Sequence, residues 1–274
     1  WHLTIRPPGP SKPNVRENNT WLRSLCITAT FARSRGLSAE STEGTTAALE
    51  KTKPAEVLAV GYYSLIYGLR VHLNESVPGL LLSSQQTAAP DVEIKFGCMP
   101  SWFQQHSLSK KLWYAHPQHT PGEKPTLVAW KLADHYQLEY ADGTQFLIDD
   151  RGKQIWATWP DDTLTLEDTA TYLLGPVMGF TLLLRGFVSL HACAIAVDDR
   201  AIAIVGPAGS GKSTTAAAFA ERGYCVLAED VVTLRDLDTE FLVRPGYPSI
   251  RLWPSSVEAL YGNGVKLPKL TPTW

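Results

Sequence analysis

The chain has 274 residues, of which 44% are hydrophobic and 19% are charged, so it can bury one large core or two modest ones and is not disordered throughout. Its 25 Lys and Arg residues nearly balance its 27 Asp and Glu residues, for a net charge of -2, which argues against a nucleic-acid partner. Its four cysteines are too widely spaced for a CxxC metal site and too few for a disulfide framework, which favours a reducing, cytoplasmic location.

The first 57 residues differ from the rest of the chain. Four prolines crowd residues 7–13, and residues 38–46 are mainly Ser, Thr, Glu and Gly with almost no large apolar side chain. This composition predicts a disordered or weakly structured N-terminal segment over residues 1–57. A wrongly assigned gene start is the alternative, in which case the segment has no function.

Residues 58–164 are predicted to form a β-rich module of short strands. Residues 57–71 are rich in β-branched and aromatic side chains, and residues 92–96 alternate apolar and charged ones. Further strands are predicted at 128–132, 136–140, 144–148 and 154–159, with a turn at 141–143. The module contains no internal repeat and no catalytic motif.

A helix is predicted to follow, with Thr165 or Asp168 as its cap and Gly186 just after its end at Leu184. It is apolar nearly all round, so we expect it to be buried. Its uncharged stretch, residues 170–184, is shorter than the roughly 18–20 residues that a membrane span needs, so no membrane partner is expected.

An antiparallel hairpin is predicted next. Two short apolar runs, residues 190–197 and 201–205, are separated by the polar turn Asp198-Asp199-Arg200. The second run leads directly into Gly206, so the residues that follow begin at the end of a strand.

A phosphate-binding loop is predicted at this strand end. Residues 206–213 read Gly-Pro-Ala-Gly-Ser-Gly-Lys-Ser and match G-x-x-x-x-G-K-[ST] at every fixed position. An alanine-rich helix is predicted over Thr214–Arg222, with Gly223 as its stop. Glycines let backbone amides turn inward around an anion, and the start of the helix adds its positive dipole end. The alternative is a glycine-rich turn with an incidental lysine.

The residue types of this loop suit ATP and Mg²⁺. Lys212 supplies a positive charge for the β- and γ-phosphates, and the Ser213 hydroxyl is a hard oxygen ligand for Mg²⁺. The predicted nucleotide-binding residues are Gly206, Pro207, Ala208, Gly209, Ser210, Gly211, Lys212, Ser213 and Thr214.

An acidic pair follows the next apolar run, residues 225–228, at Glu229 and Asp230. A strand–helix–strand unit would bring this pair to the same sheet edge as the loop, where one carboxylate would bind the metal beside Ser213 and the other would accept a proton. The alternative is a solvated acidic turn. His191 lies 15 residues before Gly206, and a lone histidine at such a place is more often structural than catalytic.

Several segments together resemble the C-terminal kinase domain of bacterial HPr kinase/phosphorylase. They are Arg185-Gly186, Ser189-Leu190-His191-Ala192, the loop 206–213, Glu221-Arg222-Gly223-Tyr224, Leu227-Ala228-Glu229-Asp230-Val231, Arg244-Pro245-Gly246-Tyr247-Pro248 and Arg251-Leu252-Trp253. That family phosphorylates a serine of the phosphocarrier protein HPr, and its fold is related to phosphoenolpyruvate carboxykinase. The layout looks closer to shorter relatives in which a β-rich segment replaces the usual N-terminal domain. Some of these phosphorylate a lasso-peptide precursor on serine, and others are unassigned serine kinases.

The resemblance implies an α/β fold with a mixed sheet and a P-loop kinase core over residues 165–274. It implies that His191 and Lys212 lie in the active site, that Glu229 stands at the position of the catalytic base, and that Asp230 lies at the metal with Ser213. The family has aspartate at both acidic positions, and Glu229 moves its carboxylate by one methylene, roughly 1.5 Å of reach. The likeness also suggests that Arg244 and Tyr247 line the acceptor side.

The likeness further implies family sequence beyond Trp274, including a basic loop that Lys266 and Lys269 would begin, so a C-terminally truncated domain is expected and no phosphorylase activity is inferred for it. The implied partners are ATP and a serine-bearing protein or peptide, either HPr-like or a precursor, and family members form homo-oligomers. Two alternatives to the kinase stay open: a catalytically impaired ATP-binding regulator or scaffold, and a small-molecule kinase on the same fold.

Overall fold

A computed structural model of the chain describes residues 61–84, 88–106, 109–117, 124–265 and 267–272, together with the backbone of a short strand β1 (His2–Thr4). The rest of the predicted N-terminal segment and Lys266 lie outside the described residues. Within these ranges the chain forms two larger β-sheets and several helices, in agreement with the mixed α/β content expected from the sequence.

The larger sheet is formed by eight described strands between residues 62 and 158. They are β2 (Tyr62–Ile66), β3 (Leu69–Leu73), β4 (Val92–Phe96), β5 (Lys111–Ala115), β6 (Leu127–Leu132), β7 (His135–Tyr140), β8 (Gln145–Asp149) and β9 (Gln154–Thr158), with a short helix α1 (Phe103–His106) before β5. Their order in the sheet is β2-β3-β4-β9-β8-β7-β6-β5. Strand β4 runs parallel to β3 and β9, and the remaining neighbours are antiparallel.

The strands predicted between residues 92 and 159 are confirmed within a residue or two, but the strand predicted at 57–71 needs correction and one further strand was not predicted. The described part of the predicted strand 57–71 is a hairpin, because Tyr67 and Gly68 form a turn with φ of 54° and 72°. Strand β5 was not predicted: its five residues are all exposed, so they show no alternation of apolar and polar positions.

The predicted buried helix is confirmed and has three parts. Helix α2 (Leu166–Tyr172) continues through a π-helical segment (Leu173–Val177) into α3 (Met178–Leu184). Both proposed caps act together, because the Thr165 hydroxyl accepts from the Asp168 N–H and the Asp168 carboxylate accepts from the Thr165 N–H. Pro176 lies in the π-helical segment, which accommodates its missing N–H.

One hydrophobic core joins this helix to the larger sheet. Its fully buried members include Val71, Leu73, Val92, Phe146, Ile148 and Ile155 from the sheet, and Leu173, Val177, Met178 and Leu182 from the helix. The core therefore extends across residue 164, where the sequence analysis separates the β-rich module from the predicted kinase domain. Burial of this apolar face is what fixes the helix in position.

The second sheet carries the predicted phosphate loop. Its strands are β10 (Val188–Val197), β11 (Arg200–Val205), β12 (Cys225–Ala228), β13 (Val231–Asp236) and β14 (Phe241–Arg244), with helix α4 (Lys212–Glu221) between β11 and β12. Strand β10 pairs antiparallel with β11, β12 and β13, which confirms the predicted hairpin. Because β10 lies between β11 and β12, these two strands run parallel and end at the same edge of the sheet.

Helix α4 is anchored from two sides. Its Ala216, Ala217 and Ala220 pack on Ile195 and Val226 of the second sheet. The same cluster includes Ile250, Leu252 and Val257 from strand β15 (Ser249–Arg251), helix α5 (Pro254–Tyr261) and the link between them. Strand β15 also pairs antiparallel with β1. In the described ranges, no helix is both long enough and apolar enough to cross a membrane.

Candidate functional site

The loop over residues 206–211 connects the end of β11 to the start of α4. Gly209 and Gly211 have φ of 76° and 87°, which side chains with a Cβ rarely adopt. A Cβ on Gly206 would lie 2.7 Å from the Ser210 Oγ. The path of the backbone therefore favours glycine at Gly209 and Gly211, whereas the tight contact at Gly206 is with a side-chain hydroxyl.

The start of α4 is open to an anion. Gly211 occupies the N-cap position and makes no side-chain cap, and the amides of a first helical turn have no acceptor within the helix. Residues 207–210 of the loop are exposed, so the positive dipole end of the helix lies beside a loop that solvent can reach. A helix start of this kind is a position where an anion can bind.

Lys212 is folded back over the loop. Its side chain is mostly buried, with 8% of the residue exposed, and its Nζ donates to the carbonyl oxygens of Gly206 and Pro207, both at 2.9 Å. These two acceptors hold the positive charge inside the loop. A phosphate oxygen that approached the loop would compete with these carbonyl oxygens for the Lys212 Nζ.

Glu229 lies against the first turn of α4, as the predicted strand–helix–strand unit requires. The Ser213 hydroxyl donates to the Glu229 Oε1 at 2.8 Å, because the ends of β11 and β12 meet at one edge. Only 5% of Glu229 is exposed. Burial raises the pKa of Glu229 above its usual value, while the nearby Arg251 guanidinium opposes that rise.

A backbone kink separates Glu229 from Asp230. Side chains of consecutive strand residues normally point to opposite faces of a sheet. Here Asp230 has φ of 68°, and the Val231 N–H donates to the Glu229 carbonyl oxygen at 2.8 Å, which closes a three-residue γ-turn. The turn interrupts the alternation between β12 and β13, so both carboxylates reach the same guanidinium.

That guanidinium belongs to Arg251 of β15, a site residue to which the sequence analysis gave no role. Its Nε donates to the Glu229 Oε2 at 3.3 Å, and its Nη2 donates to the Asp230 Oδ2 at 2.6 Å. Its Nη1 donates to the Thr171 carbonyl oxygen at 3.4 Å. Burial alone would lower the pKa of Arg251, but Tyr247 and the two carboxylates raise it overall. The sequence offers one indication that Arg251 has a special role, because this arginine stands between the apolar residues Ile250 and Leu252.

The buried helix closes the site on one side. A Cβ on Gly175 would lie 2.7 Å from the Asp230 Oδ2 and 3.5 Å from the Arg251 Nη2. Together with the carbonyl oxygen of Thr171, this close approach brings the helix against the acidic pair. Residues from before and after the loop therefore build one site.

His191 lies on the solvent side of the pair. Its Nδ1 is 3.1 Å from the Asp230 Oδ1 and 3.2 Å from the Asp230 carbonyl oxygen, and 57% of its side chain is exposed. Thr214 lies at the opposite end of the site, where its hydroxyl is 2.8 Å from the Ser256 Oγ of α5. The structure thus gathers His191, Glu229 and Asp230 beside the loop, as the sequence analysis expected.

Two assignments taken from the family resemblance do not agree with this geometry. The carboxylate beside Ser213 is that of Glu229, whereas Asp230, assigned to the metal with Ser213, faces His191 and Arg251 instead. Tyr247 is buried, so it does not line an open acceptor side. The Arg244 guanidinium lies over the Phe187 ring, 4.6 Å from its centre.

The oxygen donors of the site suit Mg²⁺. The Ser213 hydroxyl and the Glu229 carboxylate are hard ligands, and Mg²⁺ commonly takes one or two protein carboxylates with substrate phosphates and water as the rest. In the part of the chain that the structure describes, no group of three or more His, Cys, Asp or Glu side chains is placed to hold a metal by itself. Ser213 and Glu229 thus offer hard oxygen donors of the kind that Mg²⁺ prefers, without forming a complete metal site by themselves among the described residues.

Comparison of the chain with family models, with curated proteins and with solved structures gave no match.

Proposed function

We propose that the chain is an ATP-dependent serine kinase of the HPr kinase type, which transfers the γ-phosphate of ATP to a serine hydroxyl of a protein or peptide. The observation that carries this proposal is the Ser213 hydroxyl, which lies in the first turn after a glycine-rich loop and 2.8 Å from the buried carboxylate of Glu229, directly after β12. A phosphate-binding loop with a metal-binding oxygen pair beneath it is the arrangement that nucleoside triphosphate chemistry uses.

The donor nucleotide would bind through the loop. The amides at the start of α4 would receive the β-phosphate, and Lys212 would exchange its bonds to the Gly206 and Pro207 carbonyl oxygens for phosphate oxygens. When bound, Mg²⁺ offsets negative charge on the β- and γ-phosphates, and Ser213 and Glu229 are the residues placed to hold it.

Asp230 is the better placed acceptor for the serine proton. In the transfer, the acceptor oxygen bonds to the γ-phosphorus, the bond to the ADP oxygen breaks, and the hydroxyl proton passes to a carboxylate. The side chain of Asp230 is 21% exposed and faces the open His191, whereas that of Glu229 is 5% exposed and holds Ser213. This exchanges the two roles that the family resemblance implied for the pair.

The proposal also includes a more specific fold than mixed α/β. The order β11, loop, α4 and β12 supports a P-loop kinase core of the HPr kinase/phosphoenolpyruvate carboxykinase type, preceded by a β-rich segment. An HPr-like protein or a precursor peptide as the acceptor, and assembly into a homo-oligomer, stay predictions that follow from the resemblance.

Transfer of labelled γ-phosphate from ATP to candidate serine peptides tests the proposal. Lys212→Ala is expected to lower labelling by about 10²-fold or more, because it removes the positive charge that faces the transferred group. Lys153→Ala is the matched control, since this exposed lysine lies in the loop before β9 of the other sheet. Equal labelling by the wild type and Lys212→Ala would refute the assignment.

A nucleotide-binding regulator without transfer is the second candidate. Arg251 pairs with both carboxylates, so a guanidinium already contacts one oxygen of each residue that the transfer would use. Binding of ATP and Mg²⁺ without labelling of any acceptor would support the regulator. Labelling of a metabolite in the absence of any polypeptide would instead support a small-molecule kinase.

A further inference from the structure

We propose that Arg251 is an internal counter-ion for Glu229 and Asp230, a positioning residue that holds both carboxylates in place until a divalent cation arrives together with a nucleotide. The inference rests on the proposed function for the identity of that nucleotide. Its structural basis is the set of contacts around the acidic pair.

All four carboxylate oxygens of the pair have a partner in this structure. The Glu229 oxygens accept from the Ser213 hydroxyl at 2.8 Å and from the Arg251 Nε at 3.3 Å. The Asp230 oxygens lie 2.6 Å from the Arg251 Nη2 and 3.1 Å from the His191 Nδ1. Protein groups therefore already contact every carboxylate oxygen of the pair, and Arg251 contacts both carboxylates.

A cation that arrives alone would gain little from these residues. It would have to displace the Ser213 hydroxyl from the Glu229 Oε1 and approach the positive charge of Arg251. No third acidic, histidine or cysteine ligand completes a metal site among the described residues. A cation that brings its own phosphate ligands has less need of protein ligands, and its charge is partly offset before it meets Arg251. Cation and polyphosphate binding are thereby coupled.

Binding of Mn²⁺ alone, followed by the electron paramagnetic resonance signal of the free ion, tests this coupling. Wild type is expected to bind Mn²⁺ weakly in the absence of nucleotide. Arg251→Met keeps an apolar side chain of similar length but removes the positive charge. This variant is expected to bind Mn²⁺ at least about tenfold more tightly than wild type, because the cation can take the place of the lost guanidinium beside the two carboxylates. Arg235→Met is the matched control: it removes an exposed charge five residues along β13, about 16 Å from Asp230.

The double variant Arg251→Met with Glu229→Gln tests whether the gain in Mn²⁺ affinity arises from binding at the acidic pair. Its Mn²⁺ affinity is expected to return to the wild-type level, since one carboxylate of the pair is then lost. If Arg251→Met does not fold by circular dichroism, Arg251→Lys decides the question. A single ammonium cannot reproduce both carboxylate contacts, so a smaller gain in Mn²⁺ affinity is expected.

Three results would overturn the proposal: no gain in the folded Arg251 variant, an equal gain in Arg235→Met, or a gain that survives loss of the Glu229 charge. These measurements need neither ATP nor a phosphate acceptor. A gain in Mn²⁺ affinity without any phosphate transfer would therefore contradict only the proposed kinase activity, and transfer without the gain would contradict only the role of Arg251.

Discussion

Replacement of Gly175 by alanine tests whether the buried helix is fitted to the acidic pair. The added Cβ would lie 2.7 Å from the Asp230 Oδ2, closer than Cβ atoms approach oxygen in real structures. Asp230 cannot move away freely, because its two oxygens are held by Arg251 and His191. We therefore expect Gly175→Ala to displace the Asp230 carboxylate and to strain the site.

The size of the effect follows from two opposing contributions. Overpacking a tight contact typically costs about 1–3 kcal/mol of unfolding free energy, whereas alanine in place of glycine stabilises a helix by up to about 1 kcal/mol. Gly179→Ala is the matched control one turn later, because its Cβ would lie 3.6 Å from the Val231 Cγ2, an ordinary contact. Gly179→Ala should thus be neutral or stabilising, and Gly175→Ala less stable than it by about 1–3 kcal/mol.

Urea unfolding and thermal unfolding measure this difference. At about 2–4 °C per kcal/mol for a chain of this size, the two variants should melt several degrees apart. Phosphate transfer should fall about tenfold or more in Gly175→Ala, because the proton acceptor moves, and should be unchanged in Gly179→Ala. If both variants unfold together and transfer phosphate equally, the close contact with Asp230 does not exist as described.

Three further predictions follow from the site and its supports. Glu229→Asp withdraws the carboxylate by about 1.5 Å from Ser213, so it should lower the unfolding free energy in urea by about 1–3 kcal/mol without raising transfer; wild-type stability would contradict this. Thr165→Ala removes the capping box and should cost about 0.5–2 kcal/mol in thermal unfolding, so an unchanged melting temperature would contradict the cap. Burial raises the pKa of Glu229 above 4.5, so between 4.5 and the raised pKa the folded chain binds more protons at this residue than the unfolded chain does. The contribution of Glu229 to the unfolding free energy therefore falls as the pH rises from 4.5 through the raised pKa. Glu229→Gln should remove that component of the slope in urea midpoints measured across pH, and identical slopes would contradict it.

Features set by neighbouring residues could be predicted from the sequence. The loop needs glycine at fixed places because its backbone turns where a Cβ is not tolerated, so the pattern over residues 206–213 predicts its conformation. The hairpin 190–205 and the cap at Thr165 are likewise determined by local alternation and by side chains three residues apart. The position of Glu229 beside the loop followed from the parallel ends of two strands joined by a helix.

Features set by distant residues could not be predicted. Arg251 reaches the acidic pair only after β15 folds against the second sheet, and its sequence neighbours show an ordinary strand. Gly175 leaves space for the carboxylate of a residue 55 positions later in the chain, which its own helical neighbours do not indicate. The turn at Tyr67 was missed because a bulky residue with positive φ is uncommon.

The γ-turn at Asp230 explains why two adjacent acidic residues can serve different purposes. In a regular strand, one carboxylate would face α4 and the other the opposite side of the sheet. The positive φ of Asp230 turns its carboxylate to the side of Glu229 while leaving it nearer to solvent. Such backbone strain persists only where the surroundings enforce it, and here Arg251, His191 and the pairing of β10 with β13 do so. The kink thus produces one buried carboxylate beside Ser213 and one partly exposed carboxylate beside His191, an asymmetry that suits the separate roles proposed for them in metal binding and proton transfer.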